Sequence, residues 1–152
     1  MLTGERLSEI LQRWFISEPP MFGVLCLHEA RENRGMTCPL RCGQRRLEYN
    51  PELTGRMSDT ELEECLRAEA VRILMGHPYR RRPDGAGLER YTDLSELWDE
   101  DELTWSEISG VINSTKDWGS IPGAFAEKLI ASTKSRINWR TALAGFRSSI
   151  LC

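Results

Sequence analysis

The sequence predicts an α+β fold, mostly helical, with a small β-sheet packed on one central helix. Three observations predict it. Residues 58–77 combine a capping box, an apolar stripe at helical spacing and a Gly/Pro stop. Two short strand-like runs, 21–29 and 44–49, flank a connection containing Gly and Pro. The last third returns to helical spacing behind residues that suit helix starts. At 152 residues the chain is expected to be a single domain, 1–152. Within it, a helix-strand-strand-helix core covers 5–80, a polar loop 80–90 and a helical part 92–150.

The first element is an amphipathic helix over 5–16. Leu7, Ile10, Leu11, Trp14 and Phe15 recur along one face, and Pro19-Pro20 ends the pattern. Residues 21–29 read as a buried strand, 33–43 as a connection, and 44–49 as a second strand. The central helix follows. Ser58-Asp59-Thr60-Glu61 supplies the capping box, and its acidic side chains sit where the macrodipole favours them. Leu62, Cys65, Leu66, Ala70, Ile73 and Leu74 form a single stripe to be buried, and Gly76 and Pro78 mark the end.

Beyond it, Arg80, Arg81 and Arg82 open a polar loop and read as a solvated surface. Apolar residues at helical spacing predict helices over 94–98 and 102–111. Pro122 suits the first turn of a helix through 133, and Asn138 can cap a last one through 150. Tryptophans at 14, 98, 105, 118 and 139 supply large apolar areas and read as core or contact residues.

Charge and composition exclude several function classes. Twenty basic and 23 acidic residues give a net charge of −3, so no field favours nucleic acid or an anionic membrane. No run reaches membrane-spanning length, and the N-terminus has no signal-peptide core, so the chain reads as cytoplasmic. There is no phosphate loop, nucleophile elbow or internal repeat.

The five cysteines are an odd count without a secretory signal, which argues against a disulfide framework. Cys26 and Cys65 read as small core residues and Cys152 as a free terminal thiol. Cys38 and Cys42, with Cys26 and His28 upstream, offer a Cys3His set that could hold structural zinc. The simpler reading puts Cys38 and Cys42 in a hairpin loop.

Glu69 stands near the middle of the central stripe, at i+7 from Leu62, where a solvated carboxylate is not expected. A buried carboxylate is costly unless paired. Arg72, at i+3, is the nearest candidate partner. His77 lies toward the same side if the helix extends that far. The alternative is that Glu69 reaches solvent at the stripe's edge and His77 is a C-terminal cap.

Several blocks in order carry a family resemblance. They are Pro20-Met21-Phe22-Gly23-Val24-Leu25, Arg46-Leu47-Glu48-Tyr49-Asn50-Pro51-Glu52-Leu53, the helix over 58–77, Ile121-Pro122-Gly123-Ala124-Phe125-Ala126-Glu127, and Ile137-Asn138-Trp139-Arg140. Over residues 7–150 the chain resembles the bacterial metallopeptidase-like domain that precedes a von Willebrand A-like domain. Such proteins are often encoded beside MoxR-type AAA+ ATPases. The resemblance implies a zincin-like fold with 58–77 as the active-site-type helix, where the family reads H-E-x-x-H-x-x-x-x-H. It also implies that this chain is a stand-alone remnant or an N-terminal piece of a longer protein.

Half of that motif is missing here. Ala68 and Arg72 replace the two metal-binding histidines, while Glu69 and His77 match. A zincin helix works because two histidines at i and i+4 grip Zn²⁺ and the glutamate between them polarises the bound water. Alanine has no ligand atom, and arginine has no lone pair to give. Glu69 is therefore a vestigial general base in a vestigial site of Ala68, Arg72 and His77. The expected function is a non-catalytic protein-interaction module, a pseudoenzyme with no cofactor, partnered by a von Willebrand A-like domain and an AAA+ ATPase. The alternatives are a zinc peptidase with rearranged ligands and a structural-zinc scaffold built on Cys26, His28, Cys38 and Cys42.

Overall fold

A computed structural model of the protein describes residues 1–80 and 93–134. Among the described residues it is a mixed α/β structure of six helices and a three-stranded sheet. Helix α1 (Thr3–Ser17) buries Leu7, Ile10 and Trp14 as its spacing requires. Phe15 departs from that stripe: it is 63% exposed and meets Phe22 edge-on at 5.2 Å.

Residues 21–29 do not form the expected strand. Pro19 opens a short helix, α2 (Pro19–Leu25), in which the prolines occupy the first turn and the amides of Phe22 and Cys26 reach back to Glu18 and Phe22. Proline at that position loses no helical hydrogen bond and presets φ, so Pro19-Pro20 starts a helix as well as ending one. The apolar run is too short for periodicity to tell buried helix from buried strand.

The sheet begins later, with β1 (Glu29–Glu32), and continues with β2 (Leu40–Gly43) and β3 (Arg46–Tyr49). Its order is β1-β3-β2, with β1 parallel and β2 antiparallel to the central β3. Strand β1 is exposed along its length and mostly charged, which guards a sheet edge against further pairing. Strand β2 lies in the stretch expected to be only a connection. The two-residue turn between β2 and β3, Gln44-Arg45, has positive φ at both residues (52° and 60°). That is the hairpin geometry usually assigned to Asn-Gly or Asp-Gly, and neither residue signals it.

Asn50 caps the single turn α3 (Pro51–Thr54) by accepting from the Glu52 amide. The central helix α4 (Asp59–Met75) carries the full capping box between Ser58 and Glu61. Gly76, at φ 84°, ends it in a left-handed cap, with the Gly76 amide on Ile73 O and the His77 amide on Arg72 O. Helices α1 and α2, strand β2 and the last two helices all pack against α4. Leu62, Leu66, Ala70, Ile73 and Leu74 are buried there as expected, and Cys65 is half-buried.

Residues 93–97 form turns rather than the expected helix, held by i→i+3 bonds from Glu96 to Asp93 and from Trp98 to Ser95. Asp101 caps α5 (Glu102–Ser114), and α6 (Gly123–Ser132) follows directly from Pro122. Trp14 and Trp98 are buried, while Trp105 and Trp118 pack on the core. Arg80 is not merely solvated: its guanidinium lies 5.2 Å over the Trp105 ring and donates to Ser132 O. The rest of the polar loop, the closing helix expected over 138–150, Trp139 and Cys152 lie outside the described residues. No helix among the described residues is long and apolar enough to cross a membrane.

Candidate functional site

The register of α4 turns Glu61, Cys65, Ala68 and Arg72 toward one side, a spacing that repeats about every turn. Beside that face runs a cleft of about 1120 Å³. Its other wall comes from the segment leading into β2 (Thr37, Cys38, Pro39, Leu40) and from the turn at Asp93, Leu94 and Glu96. Ala68, Glu69 and Arg72 all line it, so three of the four residues expected to form one site, His77 being the fourth, share one cavity.

Glu69 is almost fully buried. Burial pushes its carboxyl above the ordinary glutamate range, and the Arg72 guanidinium and the Cys42 backbone amide oppose that rise. Arg72 closes a hydrogen-bonded ion pair with Glu69. The partner expected at i+3 is therefore in place, and the reading in which Glu69 reaches solvent is excluded.

His77 is not one of the residues found lining the cleft. Its amide completes the α4 cap, so part of the capping alternative holds, and its ring packs 5.9 Å from Trp98. Burial, then the nearby Arg72 charge, depresses its pKa to about 4. Of these four positions, His77 is the one the helix end turns aside.

The Cys/His alternative does not assemble. Cys26 is exposed at the end of α2, not in the core as its apolar neighbours suggest. Cys38 is half-buried in the cleft wall, with its thiol pushed up to about 12 by burial and by Asp93 and Glu69. Cys42 is buried on β2, and its thiol is also pushed up by burial. Both nitrogens of His28 are engaged: Nδ1 lies 2.8 Å from Val24 O and Nε2 lies 2.6 Å from the Tyr79 hydroxyl. The Arg45 amide donates to that hydroxyl at 2.9 Å, so the hydroxyl proton goes to Nε2 and His28 Nδ1–H donates to Val24. Among the described residues no group of three His, Cys, Asp or Glu side chains is placed to hold a metal ion. At the α4 positions the donor set itself does not suit zinc, since Ala68 offers nothing and Arg72 already holds Glu69.

Sequence reasoning missed the ionic cluster behind the cleft wall. Arg41 and Glu48 face each other across β2 and β3 at 2.7 Å, both almost fully buried. The same guanidinium reaches Asp93 Oδ1 at 2.9 Å and Glu96 Oε2 at 2.7 Å. Burial works against ionisation of Asp93, but hydrogen bonds from Thr37 and Cys38, with the Arg41 charge, hold its carboxyl below its ordinary value. This cluster ties the 93–97 turn to the β2 entry and so fixes the wall opposite α4. Nothing in the sequence signals it, because Arg41 lies in the stretch read as a connection and its cross-strand partner Glu48 is set only by the pairing of β2 with β3.

Compared with protein-family models, curated proteins and solved structures, the chain matches none of them.

Proposed function

We propose that the chain is a degenerate, zincin-like metallopeptidase domain that has lost catalysis and serves as a protein-interaction module in an AAA+ ATPase and von Willebrand A-type system. The observation that carries this reading is the ion pair of Glu69 with Arg72 on the wall of an open cleft. In a zinc peptidase the metal lowers the pKa of its bound water, and the glutamate beside it takes the proton. Here the positive charge beside the glutamate is the Arg72 guanidinium, which has no open coordination position at which to hold and activate a water. An open cleft lies next to the pair, with room for part of a partner protein. The ATPase and von Willebrand A-like partners rest on the resemblance alone.

Metal analysis of untagged protein tests the reading, together with casein digestion and the variant Ala68→His/Arg72→His. The expected result is no zinc and no cleavage in the wild type. Zinc uptake by the double variant would show that the remaining geometry still suits the metal. Stoichiometric zinc with casein cleavage in the wild type overturns the proposal. A direct titration with a purified MoxR-type ATPase tests the partner separately, and saturable binding is expected.

A further inference from the structure

The cleft beside α4 is apolar at its base and acidic at its edges. Pro39, Leu40, Met57, Ala68 and Leu94 supply apolar surface. Among the described residues the charged lining is five carboxylates (Glu61, Glu64, Glu69, Asp93, Glu96) against one guanidinium, Arg72. Glu69 is cancelled by Arg72, and Asp93 and Glu96 share Arg41, which is already paired with Glu48. Glu64 is 39% exposed and only 3.8 Å from Arg67, a loose contact, and Glu96 is 65% exposed.

Size narrows the occupant. Small-molecule sites run to roughly 300–1,000 Å³, and this cleft, at about 1120 Å³, lies above that range. It has room for several side chains of a polypeptide. Apolar surface supplies affinity without sign, while the carboxylate edges select charge and favour encounter with a cation. We infer that the cleft receives a polypeptide segment of a partner protein in which apolar side chains alternate with lysine or arginine. The apolar side chains enter between α4 and the Pro39–Leu40 wall, and the basic ones meet Glu64 on one edge and Glu96 on the other. This deepens the interaction-module reading and rests on it, since a cleft working as a peptidase site would release its occupant as fragments.

The test uses the full chain and two labelled peptides of equal length, one alternating leucine with lysine and the other leucine with glutamate. Anisotropy reads binding, and the mass of the recovered peptide reads cleavage. The expected result is saturable binding of the Leu/Lys peptide, at least about tenfold tighter than Leu/Glu and weakened by salt. Glu64→Lys and, separately, Glu96→Gln should each narrow that preference several-fold while the circular dichroism spectrum stays unchanged. Equal affinity for both peptides, or no binding of either to folded wild type, overturns the inference and leaves the non-catalytic reading standing. Binding followed by cleavage of the Leu/Lys peptide instead overturns the non-catalytic reading and keeps the charge preference.

Discussion

Glu69 and Arg72, three residues apart on α4, form an ion pair in which the carboxylate side chain is 3% exposed and the guanidinium 20% exposed. The asymmetry sets what each residue does. The carboxylate is held inside by packing from β2, and the arginine reaches in from the cleft to cover it.

Arg72→Met should therefore destabilise the fold by about 3 kcal/mol, because removing one partner leaves the other charge buried. The loss should have a characteristic pH dependence. Burial raises the folded-state carboxyl of Glu69, so its contribution to stability is full below the ordinary glutamate pKa of about 4.3 and is lost as pH rises through the folded value. Without Arg72 the folded value climbs further, and the lost window widens upward. Urea unfolding should show the largest gap between variant and wild type near neutral pH and a smaller one in acid. Glu69→Leu combined with Arg72→Met should recover much of the deficit. A gap that does not change with pH would mean that Arg72 stabilises by packing alone.

Arg41 reaches three carboxylates from one buried guanidinium, and a lysine cannot. Arg41→Lys keeps the charge but loses the planar fork that spans Glu48, Asp93 and Glu96. The expected cost is about 2 kcal/mol, in line with hydrogen bonds to charged groups. Hydrogen exchange should localise the loosening to residues 93–97 and to the β2 entry near Thr37, which Asp93 holds. Uniform exchange across the protein would contradict that wall-fixing role.

The histidines pull stability the other way with pH. Burial lowers both His28 and His77 to about 4. A base whose folded pKa is depressed contributes stability that is present above its unfolded value and lost as pH falls toward the folded one. The window runs from about 6.5 down to about 4. Ring resonances followed by NMR should show both imidazoles neutral at pH 6, with His28 protonated on Nδ1. His77→Phe should flatten the acid loss in that window. A ring that titrates near 6.5 would mean that it is solvated, contrary to its packing.

The legibility of this chain divides by range. The α4 helix was fully readable because its signals are local: Ser58 and Glu61 reciprocate within one turn, and Gly76 ends the stripe. The Glu69 partner was readable for the same reason, being one turn away. What failed depended on distant or ambiguous information. The run after Pro19-Pro20 became helix because a short apolar segment looks alike in both states. Strand β2 was hidden because half its residues, Arg41 and Gly43, are not strand formers, and only pairing with β3 decides their state. The wall built by Asp93 and Arg41 links residues 52 apart in sequence, and no local pattern records it. The cleft was therefore half-legible: its α4 side could be read and its opposite wall could not.

Gly43 shows how tightly that opposite wall is built. A Cβ added there would sit 2.5 Å from Leu97 Cβ and 2.7 Å from Leu97 O. Shortening Leu97 would not relieve the second contact, because it is with backbone. Gly43→Ala must push the 93–97 turn away from β2, and that turn also carries Asp93 and Glu96 to Arg41. The expected cost is about 2–3 kcal/mol, the upper part of the range for overpacking a close contact. The strain should also appear as weaker binding at the cleft, since the Glu96 edge moves with the turn. Thermal unfolding reads the first effect and titration with the Leu/Lys peptide the second. If Gly43→Ala lowers stability but leaves peptide affinity unchanged, the 93–97 turn does not form the edge that contacts the partner.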